Sequence, residues 1–163
     1  LFSLTPEQIR VLIHPQSIIH SMVVCRDMSV LAQMGTPDMR VPIAYGLSFP
    51  ERIDAGASRL DLLSVPNLSF EVADEQRFPG LYLSWQSLRA PEGSTAVLNA
   101  ANEEAVAAFL ERRLRFDQIH RINAQSLEQL LPEAGECASV EGLLGLDARA
   151  RRHAQALIAE LSA

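Results

Sequence analysis

The 163-residue chain contains no lysine; all 14 of its basic residues are arginine. Chemistry that needs a lysine amine, such as a Schiff base or the phosphate-binding lysine of a P-loop, cannot be carried by this polypeptide alone. Cysteine is scarce as well. Cys25 and Cys137 lie far apart, form no CxxC pair and are too few for a secreted disulfide scaffold, so both are read as reduced thiols of a cytoplasmic protein. Long apolar runs are missing. The longest uncharged stretch near the start, Val11 to Cys25, is interrupted by His14, Pro15, Gln16, Ser17, His20 and Ser21, and is too short and too polar to span a bilayer. No basic region leads into an apolar one and a small-residue cleavage site, so neither a signal peptide nor a membrane partner is expected. Positive charge is in deficit, with 20 acidic residues giving a net charge of -6, and no polybasic footprint for nucleic acid is present. There is no GxGxxG after a strand, no GxxxxGKS and no GxSxG elbow, so no local signature marks a dinucleotide, phosphate or nucleophile site.

What remains is a chain that can bury a core: 48% of residues are hydrophobic and 21% charged, which excludes disorder and fits one domain or two small ones. Its first residue is Leu1, and the expectation is a piece of something longer. Two β-rich runs, Ile18 to Cys25 and Ser29 to Met34, flank a polar trio and predict an antiparallel hairpin. Its turn is expected to be irregular, because Met28 stands where a glycine would supply positive φ without steric cost. Gly35-Thr36-Pro37-Asp38 predicts a loop, followed by a short helix through Pro42, Ile43, Ala44 and Leu47 that ends at Pro50. From Phe49 to Asp74 the pattern loses its period, apart from one alternating segment at Leu68 to Val72, and reads as a connecting arm.

Beyond Asp74 the period becomes helical. One helix is expected from Pro79 through Leu88, and a second from Val97 through Leu110, with Glu103 and Glu104 near its positive end and Arg112, Arg113 and Arg115 in its last turn. Two short helices are expected over Asp117 to Ile122 and Ala124 to Leu131. A last helix is expected from an Asp147 cap through Leu161. Gly142 and Gly145 are read as a break or a point of close packing. The fold class is therefore α+β: the remnant of an antiparallel or mixed sheet with a short helix, a connecting arm, then an all-α antiparallel bundle. No internal repeat is present.

The residues themselves offer little chemistry. His14 and His20 are six apart and would face the same way on an unbroken strand, but with Cys25 they match no ligand spacing, and they are read as structural. His120 and His153 are read as solvated surface groups. Ser17, Ser21, His14, His20 and Asp38 include the residue types of a hydrolytic triad without its geometry. The Thr36 to Arg40 turn, stiffened by Pro37 and Pro42, either projects Met39 toward a ligand or connects strand to helix with Met39 in the core; residue types alone favour the connector.

The stretch Val11-Leu-Ile-His-Pro-Gln-Ser-Ile-Ile-His-Ser-Met22, followed by Ser29-Val-Leu-Ala-Gln33 and Gly35-Thr-Pro-Asp-Met-Arg40, strongly resembles the 1-deoxy-D-xylulose 5-phosphate reductoisomerase family. So does Leu98-Asn-Ala-Ala-Asn-Glu-Glu-Ala-Val-Ala-Ala-Phe-Leu110. The resemblance implies an NADPH-dependent oxidoreductase and isomerase that needs manganese or magnesium, acts on a sugar phosphate in isoprenoid synthesis and forms a cytoplasmic, bacterial homodimer. It implies that this chain is the C-terminal portion: residues 1–48 the end of the catalytic domain, 49–74 the arm and 75–163 the helical bundle. Catalytic groups, metal ligands and most cofactor contacts would then lie outside this chain, which is expected to be inactive alone. What carries over by resemblance is a supporting part of the site: Ser17 and His20 near the substrate, with Pro37 and Met39 on the turn lining the pocket, Met39 close to the nicotinamide. Two departures fall in the hairpin, Val24-Cys25 where the family usually has Glu-Tyr, and Asp27-Met28 where it usually has Asp-Gly. The alternatives are a non-catalytic helical interaction or dimerisation module and, from another class, a hydrolase using Ser17 and His20.

Overall fold

A computed structural model describes residues 4–133 and 135–162, so the outermost bounds expected for the segments, Leu1 and Ala163, lie outside the described residues. The chain divides into two compact units. One runs from Arg10 to Ala73, and the other joins the stretch ending at Ile9 to everything from Asp74 onward.

In the first unit, β1 (Leu12–Ile13) pairs antiparallel with β4 (Glu71–Val72), while β2 (Ile19–Val24) and β3 (Val30–Met34) form the expected hairpin. Its turn closes with the Cys25 N–H donating to the Ser29 carbonyl at 2.9 Å and the Met28 N–H donating to the Cys25 carbonyl at 3.0 Å. Met28 takes the left-handed conformation at φ 66° that glycine would adopt freely. Asp27 supports it by accepting from the Ser29 hydroxyl at 2.6 Å and the Ser29 N–H at 3.0 Å, and these bonds hold its carboxyl below the usual range. Left-handed backbone costs a side chain about 1–2 kcal/mol, offset by roughly 0.5–1 kcal/mol of extra unfolded-state entropy for glycine. Met28→Gly is therefore expected to slow amide exchange at Cys25 about 3-fold; faster exchange would contradict the strain.

Helix α1 (Arg40–Ser48) follows with Pro42 in its first turn, as expected, and stops before the Phe49–Pro50 bond. Within residues 10–73 only Ile18 and Ala73 are buried hydrophobics, whereas Val23, Val24, Val30 and Leu31 are each more than half exposed. The hairpin is thus apolar on surfaces that this unit does not cover.

The second unit is a bundle of α2 (Pro79–Arg89), α3 (Ser94–Leu110), α4 (Phe116–Gln129) and α5 (Val140–Ser162). α3 is central because its buried positions are small: Ala101, Ala105 and Ala108 face Ile122 of α4 and Ala154, Leu157 and Ile158 of α5. Val97 and Ala100 face Leu146 and Ala150 in a second cluster. Alanine at these spacings lets helix axes approach closely, and Ile122, Leu146 and Val97 fill the space between them.

Four local expectations need correction. α4 is one continuous helix rather than two, because the buried Asn123 side chain donates to Asn102 Oδ1 at 2.9 Å and does not compete for its own backbone. α5 begins at Val140, where Ser139 Oγ accepts from the Gly142 N–H at 3.0 Å, so Ser139 caps it and Asp147 lies inside the helix. Arg112, Arg113 and Arg115 lie beyond the last turn of α3, Arg115 at the start of α4: Arg112, at φ 62°, and Arg113 close the end of α3 through N–H bonds to the Phe109 and Ala108 carbonyls, both 2.9 Å. Glu103 and Glu104 sit in the second half of α3, where they meet Arg151.

That arginine joins α3 to α5. Its guanidinium contacts Asp147 at 2.7 Å, Glu103 at 2.6 Å and Glu104 at 3.2 Å, and Gln155 also donates to Glu104 at 2.9 Å. The Arg151 bond, with help from Asn99, holds the Glu103 carboxyl below its ordinary value, while the three carboxylates raise that of Arg151. His120 and His153 are half-buried rather than solvated. One nitrogen of each ring is shut off from water with no hydrogen-bond partner, because helix packing covers one edge of the ring. Among the described residues no helix is long and apolar enough to cross a membrane.

Candidate functional site

The four residues carried over by resemblance flank the open end of the β2–β3 hairpin. The Gly35 N–H donates to the Ile18 carbonyl at 3.0 Å, one step beyond the Ile19–Met34 pair, so the chain before β2 and the chain after β3 leave side by side. Ser17 stands just before that bond, and the Thr36 to Met39 turn just after it.

The Ser17 side is built by a break in the strand. Pro15 has no N–H to offer a ladder, and β1 stops at Ile13. The Ser17 N–H turns back to the His14 carbonyl at 3.0 Å, leaving Ser17 exposed in the left-handed region at φ 51°. Such a conformation costs a non-glycine residue about 1–2 kcal/mol and persists where surrounding bonds enforce it. Here they come from the other side of the unit. His14 Nδ1 lies 2.8 Å from the Ser69 carbonyl and its ring stacks on Phe70 at 4.9 Å, while Gln16 bonds Ser69. His14 and His20 consequently do not share a strand face.

His20 occupies an irregular position. Ile19 pairs with Met34 and Ser21 with Gln33, so β2 spends two residues where β3 spends one, and His20 is the extra residue of a bulge. Bulges re-aim a side chain out of the ordinary alternation. The Gln33 amide, oriented by its own bond to the Met34 carbonyl at 3.4 Å, presents Oε1 to His20 Nδ1 at 3.3 Å. An amide oxygen only accepts, so the proton belongs on Nδ1 and Nε2 is left as an acceptor on an exposed side chain. The orienting group is an amide rather than the carboxylate of a serine triad, and it brings no negative charge to Nδ1.

On the other side, Thr36 Oγ1 donates to the Ser58 carbonyl at 2.9 Å, and Asp38 accepts from the Arg40 N–H at 2.9 Å and from its guanidinium at 2.5 and 3.0 Å. The Arg40 bonds hold the Asp38 carboxyl below its ordinary value. Met39 is 71% exposed at the start of α1, so the reading that placed it in the core gives way to a rigid projection. Gln16, Gln33 and Ser69 were given no role from sequence. Gln33 meets His20 only through a bulge that local alternation does not reveal, and Ser69 lies 53 residues from Gln16, a separation no local pattern bridges.

Elsewhere, an open cleft of about 450 Å³ lies between α2 and α3 with Asn123 on its wall, but none of its lining side chains titrates. No group of three His, Cys, Asp or Glu side chains among the described residues could hold a metal ion.

Residues 34–153 match the family model described as the DXP reductoisomerase C-terminal domain. The 1-deoxy-D-xylulose 5-phosphate reductoisomerase of Cupriavidus metallidurans is 54% identical over 162 residues, covering 99% of this chain and 41% of the relative. That of Aromatoleum aromaticum is 54% identical over 158 residues, covering 97% and 39%. Among solved structures, the Zymomonas mobilis reductoisomerase in complex with NADPH superposes with a TM-score of 0.85 at 41% identity, covering 96% of this chain and 41% of that one. A DOX-P reductoisomerase in complex with NADPH, fosmidomycin and magnesium does so with a TM-score of 0.88 at 38% identity, covering 96% and 40%. The chain thus spans about two fifths of the length of the curated relatives it matches.

Proposed function

The chain belongs to the 1-deoxy-D-xylulose 5-phosphate reductoisomerase family, matching its C-terminal domain, and from that membership we propose that it serves an enzyme of that activity. The reaction isomerises 1-deoxy-D-xylulose 5-phosphate and reduces the resulting aldehyde with NADPH, giving 2-C-methyl-D-erythritol 4-phosphate for non-mevalonate isoprenoid synthesis. In this reading residues 1–48 end the catalytic domain, 49–74 are the connecting arm, and 75–163 are the terminal bundle of a cytoplasmic homodimer. When bound to the complete enzyme, NADPH would supply the hydride, and a divalent cation, magnesium or manganese, would polarise substrate oxygens. The described residues fit neither group as a complete site: no three ligand-type side chains gather, and no glycine-rich turn follows a strand. Both groups are assigned to the part of the family's protein that this chain does not span.

The role left to this chain is to wall and orient. The observation that carries it is the Ile18–Gly35 bond, which brings Ser17 and His20 to the same end of the hairpin as Pro37 and Met39. With its Nδ1 proton held by Gln33, His20 has Nε2 free to accept a hydrogen bond from a substrate hydroxyl or a neighbouring catalytic group. Ser17 offers an exposed hydroxyl on a fixed turn, while Pro37 and Met39 present an apolar edge suited to a nicotinamide or sugar carbon face. The uncovered apolar hairpin supports the same reading, since a sheet continued by the rest of the family's protein would bury it.

The experiment uses the full-length protein that carries this chain. NADPH consumption should depend on 1-deoxy-D-xylulose 5-phosphate, and the 163-residue chain alone should show none. His20→Ala in the full-length protein should lower kcat/KM roughly 10- to 100-fold, the worth of one oriented hydrogen bond, with an unchanged melting temperature. Unaltered kinetics would remove His20 from the site. A full-length protein without turnover would favour the non-catalytic module.

A further inference from the structure

The geometry points to a brace behind the substrate-side turn: His14 and Gln16 are positioning residues that fasten the turn bearing Ser17 to Ser69 in the segment leading to β4. The inference rests on the reading that Ser17 and His20 face the substrate, and deepens it. Three observations within the first unit converge on Ser69 and Phe70. His14 Nδ1 lies 2.8 Å from the Ser69 carbonyl, which only accepts, so the ring proton is held there. Gln16 Nε2 donates to Ser69 Oγ at 2.8 Å and reaches Asn67 Oδ1 at 3.5 Å, while Gln16 Oε1 accepts the Ser69 N–H at 3.2 Å. The stacking of His14 on Phe70 fixes the ring plane at 23° to its neighbour.

These bonds use both ends of the Gln16 amide and one ring nitrogen of His14, and they fasten the residues on the N-terminal side of the left-handed serine. Gln16 spends both ends of its amide on residues 67–69, and His14 spends Nδ1 there while its Nε2 is shut off from water. The β1–β4 ladder, with Leu12 opposite Val72 and Ile13 opposite Glu71, sets the register that brings Ser69 beneath the turn. Ser17 is therefore located by residues more than fifty positions away, and a shift of the 67–72 segment moves the serine.

The test uses the full-length protein. Without His14 or Gln16 the serine wanders, and misplacement on the scale of 1 Å costs up to about 100-fold in rate. His14→Leu and Gln16→Leu are each expected to lower kcat/KM for the sugar phosphate roughly 10- to 100-fold, with KM for NADPH held within about 2-fold. His14→Asn, whose amide N–H can reach the same carbonyl, is expected to recover activity to within about 5-fold of wild type. Combining Gln16→Leu with Ser69→Ala is expected to cost no more than Gln16→Leu alone, because Ser69→Ala removes only hydroxyl bonds that Gln16→Leu has already cut. Substrate-induced thermal stabilisation should shrink in the two leucine variants while NADPH-induced stabilisation stays. Unchanged kinetics, additive losses in the double variant, or an asparagine variant no better than leucine would overturn the brace. So would a loss of activity that merely tracks the fraction folded. Wild-type turnover assigns any such failure to the brace alone; a wild-type protein without turnover would overturn both it and the functional reading.

Discussion

Alanine at Gly142 is expected to destabilise the helical bundle by about 2–4 kcal/mol, whereas alanine at Gly145, one turn on in the same helix, stabilises it by about 0.5–1 kcal/mol. A Cβ at Gly142 would stand 2.0 Å from the Glu136 carbonyl oxygen, 3.0 Å from its carbon and 3.2 Å from Ser139 Oγ. The obstacle is backbone, so no rotamer change relieves it. The backbone is also held, because Arg149 contacts the Glu136 carboxylate at 3.0 Å and that carboxylate accepts the Glu133 N–H at 2.9 Å. Relief has to come from moving Val140 to Gly142 outward, which breaks the Ser139 cap on α5. At Gly145 nothing lies within 4 Å of the added methyl group, and only the helix-interior preference for alanine remains. Urea unfolding of the two variants side by side would reveal the opposite signs. A Gly142→Ala protein as stable as wild type would show that the close approach is not maintained in solution.

Leu146→Ala should cost about 2–5 kcal/mol, toward the upper end. Leu146 is fully buried against Val97, Ala100 and Ala150, with Leu127, Leu130 and Cys137 at the edge of the cluster. Two of its three buried neighbours are alanines, which have no side chain to swing into the vacated volume, and the cavity would stay open. Leu144, two residues away and 63% exposed, is the comparison: truncation there should change stability by less than about 0.5 kcal/mol. Equal effects at the two positions would place α5 in a different rotation about its axis.

Both predictions concern features that sequence patterning touched without resolving. Gly142 and Gly145 look alike in the chain, two glycines three apart in a helical stretch, and the period alone left open a break or a close contact. The structure separates them: one faces the Glu136 turn and the other faces open space. The two short helices expected over Asp117 to Ile122 and Ala124 to Leu131 are one continuous helix through the buried Asn123. Its partner proved to be Asn102 on the neighbouring helix, and a residue satisfied across an interface no longer disrupts the helix that carries it. Met28 is the reverse case. The missing glycine was legible as a conformational problem, and the chain keeps the turn at φ 66° with a methionine, braced by Asp27 and Ser29.

For the proposed site, the residue string Val11 to Met22 and the Gly35 to Arg40 turn nominate Ser17, His20, Pro37 and Met39 through their resemblance to the family's motifs. The hairpin, the short helix after it and the helical content beyond Asp74 were equally accessible, since alternation and a period of three to four residues are local properties of the chain. Only the folded chain decided what those residues are attached to. The bulge that turns His20 out, the Gln33 amide that fixes its proton and the Ser69 contacts behind Ser17 all depend on register between segments 13 to 55 residues apart. Register is set by which pairings satisfy the most backbone groups at once, a property of the whole arrangement that no single stretch of sequence carries.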